Sequence, residues 1–421
     1  MENAAIAVGT MRYLGKNDRE DVVIELLSSD ALSTSAIEGE VLDRDSVQSS
    51  LRRQLGMSAA PLRSRPAEAG IAEMMADLYR HPLDPIAENR LFEWHRMVMN
   101  GRRDIADIGS YRRHDEPMQI VSGAFGRQRV HFEAPPSERL AVEMGRLLEW
   151  LEQTSPERPN PLAALTRAGI AHLWFESIHP FEDGNGRIGR AIAESALARA
   201  ISTPTFTALS KSLLRHRKDY YAMLEAASST LVIDDWLSWF ADRALEAQKS
   251  ADELVRFLIE KTRFMDRLRG TLNERQEKVL LRMLAEGPEG FTGGLSASNY
   301  ATITGAPPST ITRDLADLVE KGALLRTGER KATRYRLPGR EGRIAAHRRA
   351  QGNALPPEYR NQHIGDLVEA LRQQKRTRPR CSAPQCHRKR IAPRPLDLTQ
   401  LLAAPHKRCA SRPLLHPRKR A

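Results

Sequence analysis

The chain has 421 residues with 65 Lys+Arg against 53 Asp+Glu, a formal net charge of +12. At one domain per roughly 100–200 residues, that length excludes a single small module and predicts two to four domains with ample core. Residues 339–421 hold 20 Lys+Arg and 5 Asp+Glu, which leaves residues 1–338 at −3, and all three cysteines (Cys381, Cys386, Cys409) lie in the same tail, so thiol and disulfide chemistry is excluded from the body.

No apolar run reaches the roughly 18–20 residues that a membrane-spanning helix needs. Residues 1–10, MENAAIAVGT, lack the basic and long apolar stretches of a secretory signal. The expectation is a cytoplasmic protein without membrane contact. From residue 14 to about 55 the chain reads as helices broken by short polar turns, and residues 67–103 predict two more amphipathic helices, the second with Leu91, Trp94, Val98 and Met99 on one face. Between Tyr111 and Pro136 the pattern changes to the β-like runs MQIVSG and RQRVHFE, separated by Ala124, Phe125 and Gly126, which predicts a small hairpin. Helices resume toward Trp150 and over residues 162–176, 188–201, 218–227 and 233–270.

Residues 271–338 read as a further unit of helix, short helix, turn, helix and two strands, the order of a winged helix-turn-helix domain. Its third helix offers Ser309, Thr310, Thr312 and Arg313 to a DNA groove, and the hairpin carries Arg326, Arg330, Lys331, Arg334 and Arg336. Asp314, Asp317 and Glu320 on that helix would be repelled by a duplex, so a protein-recognition or dimerisation module, giving a homodimer, is the rival reading of residues 309–336. The tail at 339–421 is too polar and too rich in Arg and Pro to bury a core and is read as disordered and basic, with Cys381, Cys386, His387, His406 and Cys409 less suited to zinc than to an unstructured polyanion binder.

The segment that carries chemistry is residues 179–190, HPFEDGNGRIGR, between two helical patterns. Gly184-Asn185-Gly186 can turn sharply and expose successive backbone N–H groups, an anion nest that opens directly into a helix N-terminus. Arg187 and Arg190 stand three residues apart, so both guanidinium groups can meet one polyanion. Asp183 is placed to hold Mg2+ against phosphates, and His179 has the pKa range of a general base.

These residues resemble the Fic (filamentation induced by cAMP) family, whose pattern is His-x-Phe-x-Asp/Glu-Gly-Asn-Gly-Arg-x-x-Arg; every specified position matches. The resemblance implies a mainly α fold: a helical bundle with a small β-hairpin flap, here followed by the winged helix and the basic tail. It implies transfer of AMP from Mg-ATP to a Ser, Thr or Tyr hydroxyl of a target protein, or of the chain itself. His179 would be the base, Asp183 the Mg2+ ligand, and Gly184, Asn185, Gly186, Arg187 and Arg190 the phosphate binders. The hairpin, with Gln119, Ile120 and Val121, would pin the target segment by strand addition, and Tyr220 and Tyr221 fall where the family packs base-binding or core aromatics.

Upstream, Thr34-Ser35-Ala36-Ile37-Glu38-Gly39 is similar to the family's inhibitory-helix pattern, Ser/Thr-x-x-x-Glu-Gly/Asn. By that likeness Thr34, Glu38 and Gly39 would hold the enzyme inactive, Glu38 pairing with Arg190 where the γ-phosphate must sit. The expected organisation is an N-terminal inhibitory region at 1–66, a catalytic domain at 67–270, the winged helix at 271–338 and the tail at 339–421. Two alternatives stay open. One is a DNA-binding transcription regulator with a nucleotide-sensing or inactive Fic domain; the other is a Fic enzyme that transfers a different group or removes AMP.

Overall fold

A computed structural model describes residues 15–59, 62–114, 118–122, 129–201, 207–230, 232–287 and 293–338. Four helices come first: α1 (Lys16–Ile37), α2 (Arg44–Gln54), α3 (Pro66–Arg80) and α4 (Glu88–Val98). A hairpin of β1 (Gln119–Ser122) and β2 (Arg129–Glu133) interrupts the helices, which resume as α5 (Leu140–Gln153), α6 (Ala164–Ile178), α7 (Asn185–Ile201), α8 (Leu209–Arg215), α9 (Arg217–Thr230) and α10 (Asp234–Leu268). Then follow α11 (Glu274–Leu284), α12 (Ala297–Thr304), α13 (Pro308–Glu320) and a second hairpin, β3 (Leu325–Thr327) with β4 (Arg334–Arg336). The chain is mainly helical, as the sequence patterns require. Helix α8, too short to show a period, is an addition to them. The turn at Ala124, Phe125 and Gly126 and the tail at 339–421 lie outside the described residues.

Local sequence accounts for several boundaries. The Asp43 carboxylate caps α2 by accepting from the Ser46 N–H at 2.8 Å, and Pro66 opens α3 at a position where its missing N–H is harmless. Helix α11 begins with a reciprocal box between Asn273 and Gln276, both bonds at 3.0 Å. Helix α1 ends at Gly39, whose φ of +85° only glycine adopts readily; its N–H bonds back to the Ala36 carbonyl at 3.1 Å.

Three apolar clusters share the interior. One joins α1 to α7 around Trp94, Leu147, Trp174, Phe175 and Phe181. A second holds Ile37, Ala193, Leu209, Tyr220, Trp236 and Phe240. The third combines Val22 and Leu26 of α1 and the second half of α10 with α11, α12 and α13. Packing therefore does not set residues 16–54 apart from the helices after residue 66: α1 contributes to all three clusters. Helix α10, at 35 residues, is about 50 Å long and runs from the second cluster into the third.

Helices α3 and α4 cross closely at Gly70, where a Cβ would stand 1.8 Å from the Met97 carbonyl oxygen. Gly70→Ala is expected to cost at least about 1–3 kcal/mol through backbone displacement, read as a lower denaturation midpoint in urea. An unchanged midpoint would contradict that close approach.

Candidate active site

The loop between α6 and α7 places the motif. Helix α6 stops at His179, whose φ of 49° and ψ of 58° put a non-glycine residue in the left-handed region, a strained state that its surroundings must hold. Arg112 does so. Buried at 1% exposure, it donates from Nε to the His179 carbonyl at 2.9 Å and from Nη2 to the Pro135 carbonyl at 2.6 Å, and its own N–H bonds the Pro180 carbonyl at 2.9 Å. Phe181 turns inward and stacks on His95 with centroids 4.1 Å apart. The Asn185 side chain is spent on the loop: Oδ1 accepts from the Phe181 N–H at 3.0 Å and Nδ2 donates to the Phe181 carbonyl at 2.7 Å. What Asn185 leaves to an anion is its backbone N–H at the start of α7.

Burial pushes the His179 imidazole down to about 4, so the ring is neutral at physiological pH. Its Nδ1 lies 3.3 Å from the Glu176 carbonyl. A carbonyl only accepts, so Nδ1 carries the proton and Nε2 keeps its lone pair, the tautomer that a base needs.

Arg190 is 1% exposed and reaches the end of α1. Its Nε donates to Thr34 Oγ1 at 2.7 Å, and its Nη2 donates to the Thr34 carbonyl at 3.0 Å and to Glu38 Oε1 at 2.7 Å. The last carbonyls of a helix lack intrahelical donors and sit at the negative end of its dipole, so a buried cation is favoured there. Burial disfavours the Arg190 charge, but Glu38 outweighs it and holds the group above its ordinary value. A second pair lies beside the first: Arg187 Nη1 meets Glu40 Oε2 at 2.8 Å. Gly186 makes room for both partners, since a Cβ there would lie 2.2 Å from Glu38 Oε1 and 3.0 Å from Arg190 Nη1. Arg190 Nη1 and Arg187 Nε are buried and donate to nothing among the described residues.

Asp183 stands at the mouth, 40% exposed, with Oδ2 2.7 Å from Arg102 Nη1; Arg102 is also forked onto Asp104 at 2.8 and 2.7 Å. Burial works against ionisation of Asp183, yet the hydrogen bonds from Arg102 and the Gly184 N–H keep its carboxyl below the ordinary range. Tyr221 lies at the edge of the site, its hydroxyl 3.3 Å from the Ile37 carbonyl at the end of α1. Tyr220 does not: it is a core residue, 1% exposed, bonded to His172 Nε2 at 2.8 Å and packed against Trp236 and Trp239. Burial of the whole ring, which a helical pattern does not reveal, sets its hydroxyl between His172 and the charge of Arg190. Gln119, Ile120 and Val121 form β1, paired antiparallel with β2.

Sequence reasoning passed over Arg112, Arg102, Glu40 and Glu176. Glu176 precedes His179 by one turn and packs against Gly189, where a Cβ would lie 2.5 Å from its Oε1; that oxygen is buried without a hydrogen-bond partner. Burial pushes the Glu176 carboxyl up to about 8 against the pull of Arg190. The folded state thus binds one more proton than the unfolded state between the ordinary value of 4.5 and about 8, and the protein loses stability as pH rises through that window. Glu176→Gln is expected to flatten this slope: thermal unfolding near that of the parent at about pH 5 and a higher midpoint than the parent at about pH 8. An unchanged slope would show that Glu176 ionises without cost.

Comparison with known proteins agrees with this geometry. Residues 82–197 match the model of the Fic/DOC family, and residues 1–57 match a domain of unknown function, DUF4172. The chain is 32% identical over 138 residues to "Protein adenylyltransferase Fic" of Drosophila mojavensis, covering 33% of this chain and 24% of the relative. It is 26% identical over 200 residues to "Protein adenylyltransferase fic-1" of Caenorhabditis elegans, covering 46% and 35%. The matched stretch thus spans about a quarter to a third of those relatives' length. A crystal structure of a Fic family protein from Desulfovibrio desulfuricans G20 aligns with 80% of this chain and 95% of its own at 24% identity and a TM-score of 0.43. The match to the Fic/DOC family model takes in the α6–α7 helix pair with His179, Arg187 and Arg190, and it is over residues 82–197 that the chain is similar to that family.

Proposed function

We propose that the chain is a protein adenylyltransferase that moves AMP from Mg-ATP to a Ser, Thr or Tyr hydroxyl of a target protein, and that Glu38 holds it inactive. The observation that carries the reading is the buried Arg190, bonded on one side by the end of α1 and left with a free Nη1 facing the space above Gly186. A buried guanidinium needs an anion, and a polyphosphate offers the same kind of acceptor oxygens as Thr34 and Glu38.

The backbone N–H groups at the start of α7, with Arg187 and Arg190, bind the phosphates and bear their charge. Asp183 fits Mg2+ arriving with the nucleotide: it is an ionised, accessible carboxylate, and one carboxylate with phosphate oxygens is a usual Mg2+ setting. Bound there, the ion would neutralise charge on the phosphate oxygens. Arg102 has Asp104 as its remaining partner when Asp183 turns to that role. His179 Nε2 accepts the proton of the target hydroxyl, whose oxygen forms the new bond to the α-phosphorus as pyrophosphate leaves. Arg112 keeps the His179 carbonyl fixed, so the ring stays aimed. The β1–β2 hairpin holds the target segment by strand addition.

Inhibition by this reading has two clasps, Glu38 on Arg190 and Glu40 on Arg187. With ATP labelled at the α-phosphate, Glu38→Gly is expected to raise transfer by about 10–100-fold, the factor for losing a charge-assisted bond of ~1.5–3 kcal/mol. Glu40→Gln, at a more open pair, should raise it by no more than about fivefold. His179→Ala should abolish labelling in every background. Label surviving His179→Ala would sink the enzymatic assignment; an unchanged rate in Glu38→Gly would sink the inhibitory one and leave the enzymatic one standing.

A further inference from the structure

Residues 274–336 take no part in the site above. Helices α11, α12 and α13 pack around Val279, Leu280, Tyr300, Ile311, Leu315 and Leu318. Three residues, Gly305, Ala306 and Pro307, connect α12 to α13. The β3–β4 hairpin closes the unit, and Tyr335 also bridges Leu295 through bonds of 2.9 and 2.8 Å.

The acidic residues of α13 stand against nucleic-acid binding only where their charge is unmet; Asp314 is buried, and Asp317, with its side chain 39% exposed, is neutralised by Lys321. Asp314 is 3% exposed and accepts from Arg275 Nε at 2.9 Å, the Tyr300 hydroxyl at 3.0 Å and Asn273 Nδ2 at 3.2 Å. Asp317 accepts from Gln276 Nε2 at 2.6 Å and pairs with Lys321. The third, Glu320, lies at the far end of the helix. The outward face of the first two turns is left with Ser309, Thr312, Arg313 and Ala316, all exposed. In the hairpin Arg326 and Arg330 are exposed and Arg336 is half-buried. None of Arg313, Arg326, Arg330 and Arg336 has an ion pair among the described residues, in contrast to the arginines of the active site.

We propose that this face binds duplex DNA, with the N-terminal half of α13 in the major groove and the hairpin arginines on flanking phosphates. Small and hydroxyl side chains let a helix sit deep in a groove and bond base edges, and unpaired guanidinium groups on a hairpin are what the phosphate backbone selects. Leu325, opposite Arg336 in the hairpin, is the large apolar side chain exposed there, and the N-terminal half of α13 offers none of the aromatic or aliphatic anchors that dominate protein interfaces; the narrow major groove of duplex RNA does not admit a helix. This inference stands apart from the adenylyltransferase reading and survives its failure.

The test uses the full-length chain and a fluorescent 30-base-pair DNA duplex of mixed sequence (about three helical turns), with anisotropy titrations over a range of salt. Binding is expected to weaken linearly in log–log form as salt rises. The combined Arg313→Ala, Arg326→Ala and Arg330→Ala variant should bind at least about tenfold more weakly at low salt, and its salt slope should shrink by roughly 0.9 for each phosphate that is no longer neutralised. Exposed Arg80→Ala, on α3, should change neither quantity, and matched thermal unfolding would confirm that the triple variant is folded. No binding at low salt overturns the proposal. Unchanged affinity and slope in the triple variant also overturn it and assign the binding to residues 339–421; equal binding of an RNA duplex removes the groove from the account. If the parent instead sediments as a dimer that the triple variant dissolves, the face belongs to a second copy of the chain and the DNA proposal falls.

Discussion

Everything at the candidate site turns on a positive charge that cannot be left alone. Arg190 sits at 1% exposure among Thr34, Glu38 and the packed helices, and a buried cation stripped of its partners costs several kcal/mol. The end of α1 supplies three acceptor atoms at once: the Thr34 carbonyl, which the helix terminus leaves without a donor, and the side-chain oxygens of Thr34 and Glu38. Whatever displaces Glu38 must therefore bring negative charge of its own. The charge of Arg190 is thus met by the protein's own acceptors as it stands, and the proposed nucleotide would exchange one anion for another.

The same arrangement recurs around it. Arg187 is held by Glu40, and Asp183 by Arg102, which in turn is forked onto Asp104. Asp183, Arg187 and Arg190 each have a protein partner of opposite charge, which the proposed nucleotide would have to displace. A ligand with one charge can replace one of these pairs. A polyphosphate with a divalent cation carries enough charge of both signs to replace all of them, so on the proposed reading the set of pairs filters ligands by charge and length.

Much of this was legible in the sequence because motif chemistry is local. The nest needs Gly184 and Gly186, the arginine spacing follows from the helical repeat, and the Glu38 pairing is implied by the likeness of residues 34–39 to the family's inhibitory pattern. What stayed hidden depends on long-range packing. Arg112 looks like one of several arginines near the hairpin, yet burial makes it the brace of the His179 turn. Tyr220 and Tyr221 are adjacent in sequence, but one enters the core and the other the rim, a split that only the orientation of α9 decides. Asp314 reads as a surface acid until its three donors are seen. Glu176 carries no signal at all, since an unpartnered buried carboxyl is a property of its neighbours.

Helix α1 carries one last consequence. Its side chains help to build all three apolar clusters, while its final turn bears Thr34 and Glu38. Withdrawing the whole helix would open the interior from end to end, so on the proposed reading the release of Arg190 is confined to the residues after Ser35. For the same reason a shortened chain that begins beyond Gly39 would lose the partners of Arg190 and its scaffold together. Restraint and architecture are separable only one side chain at a time.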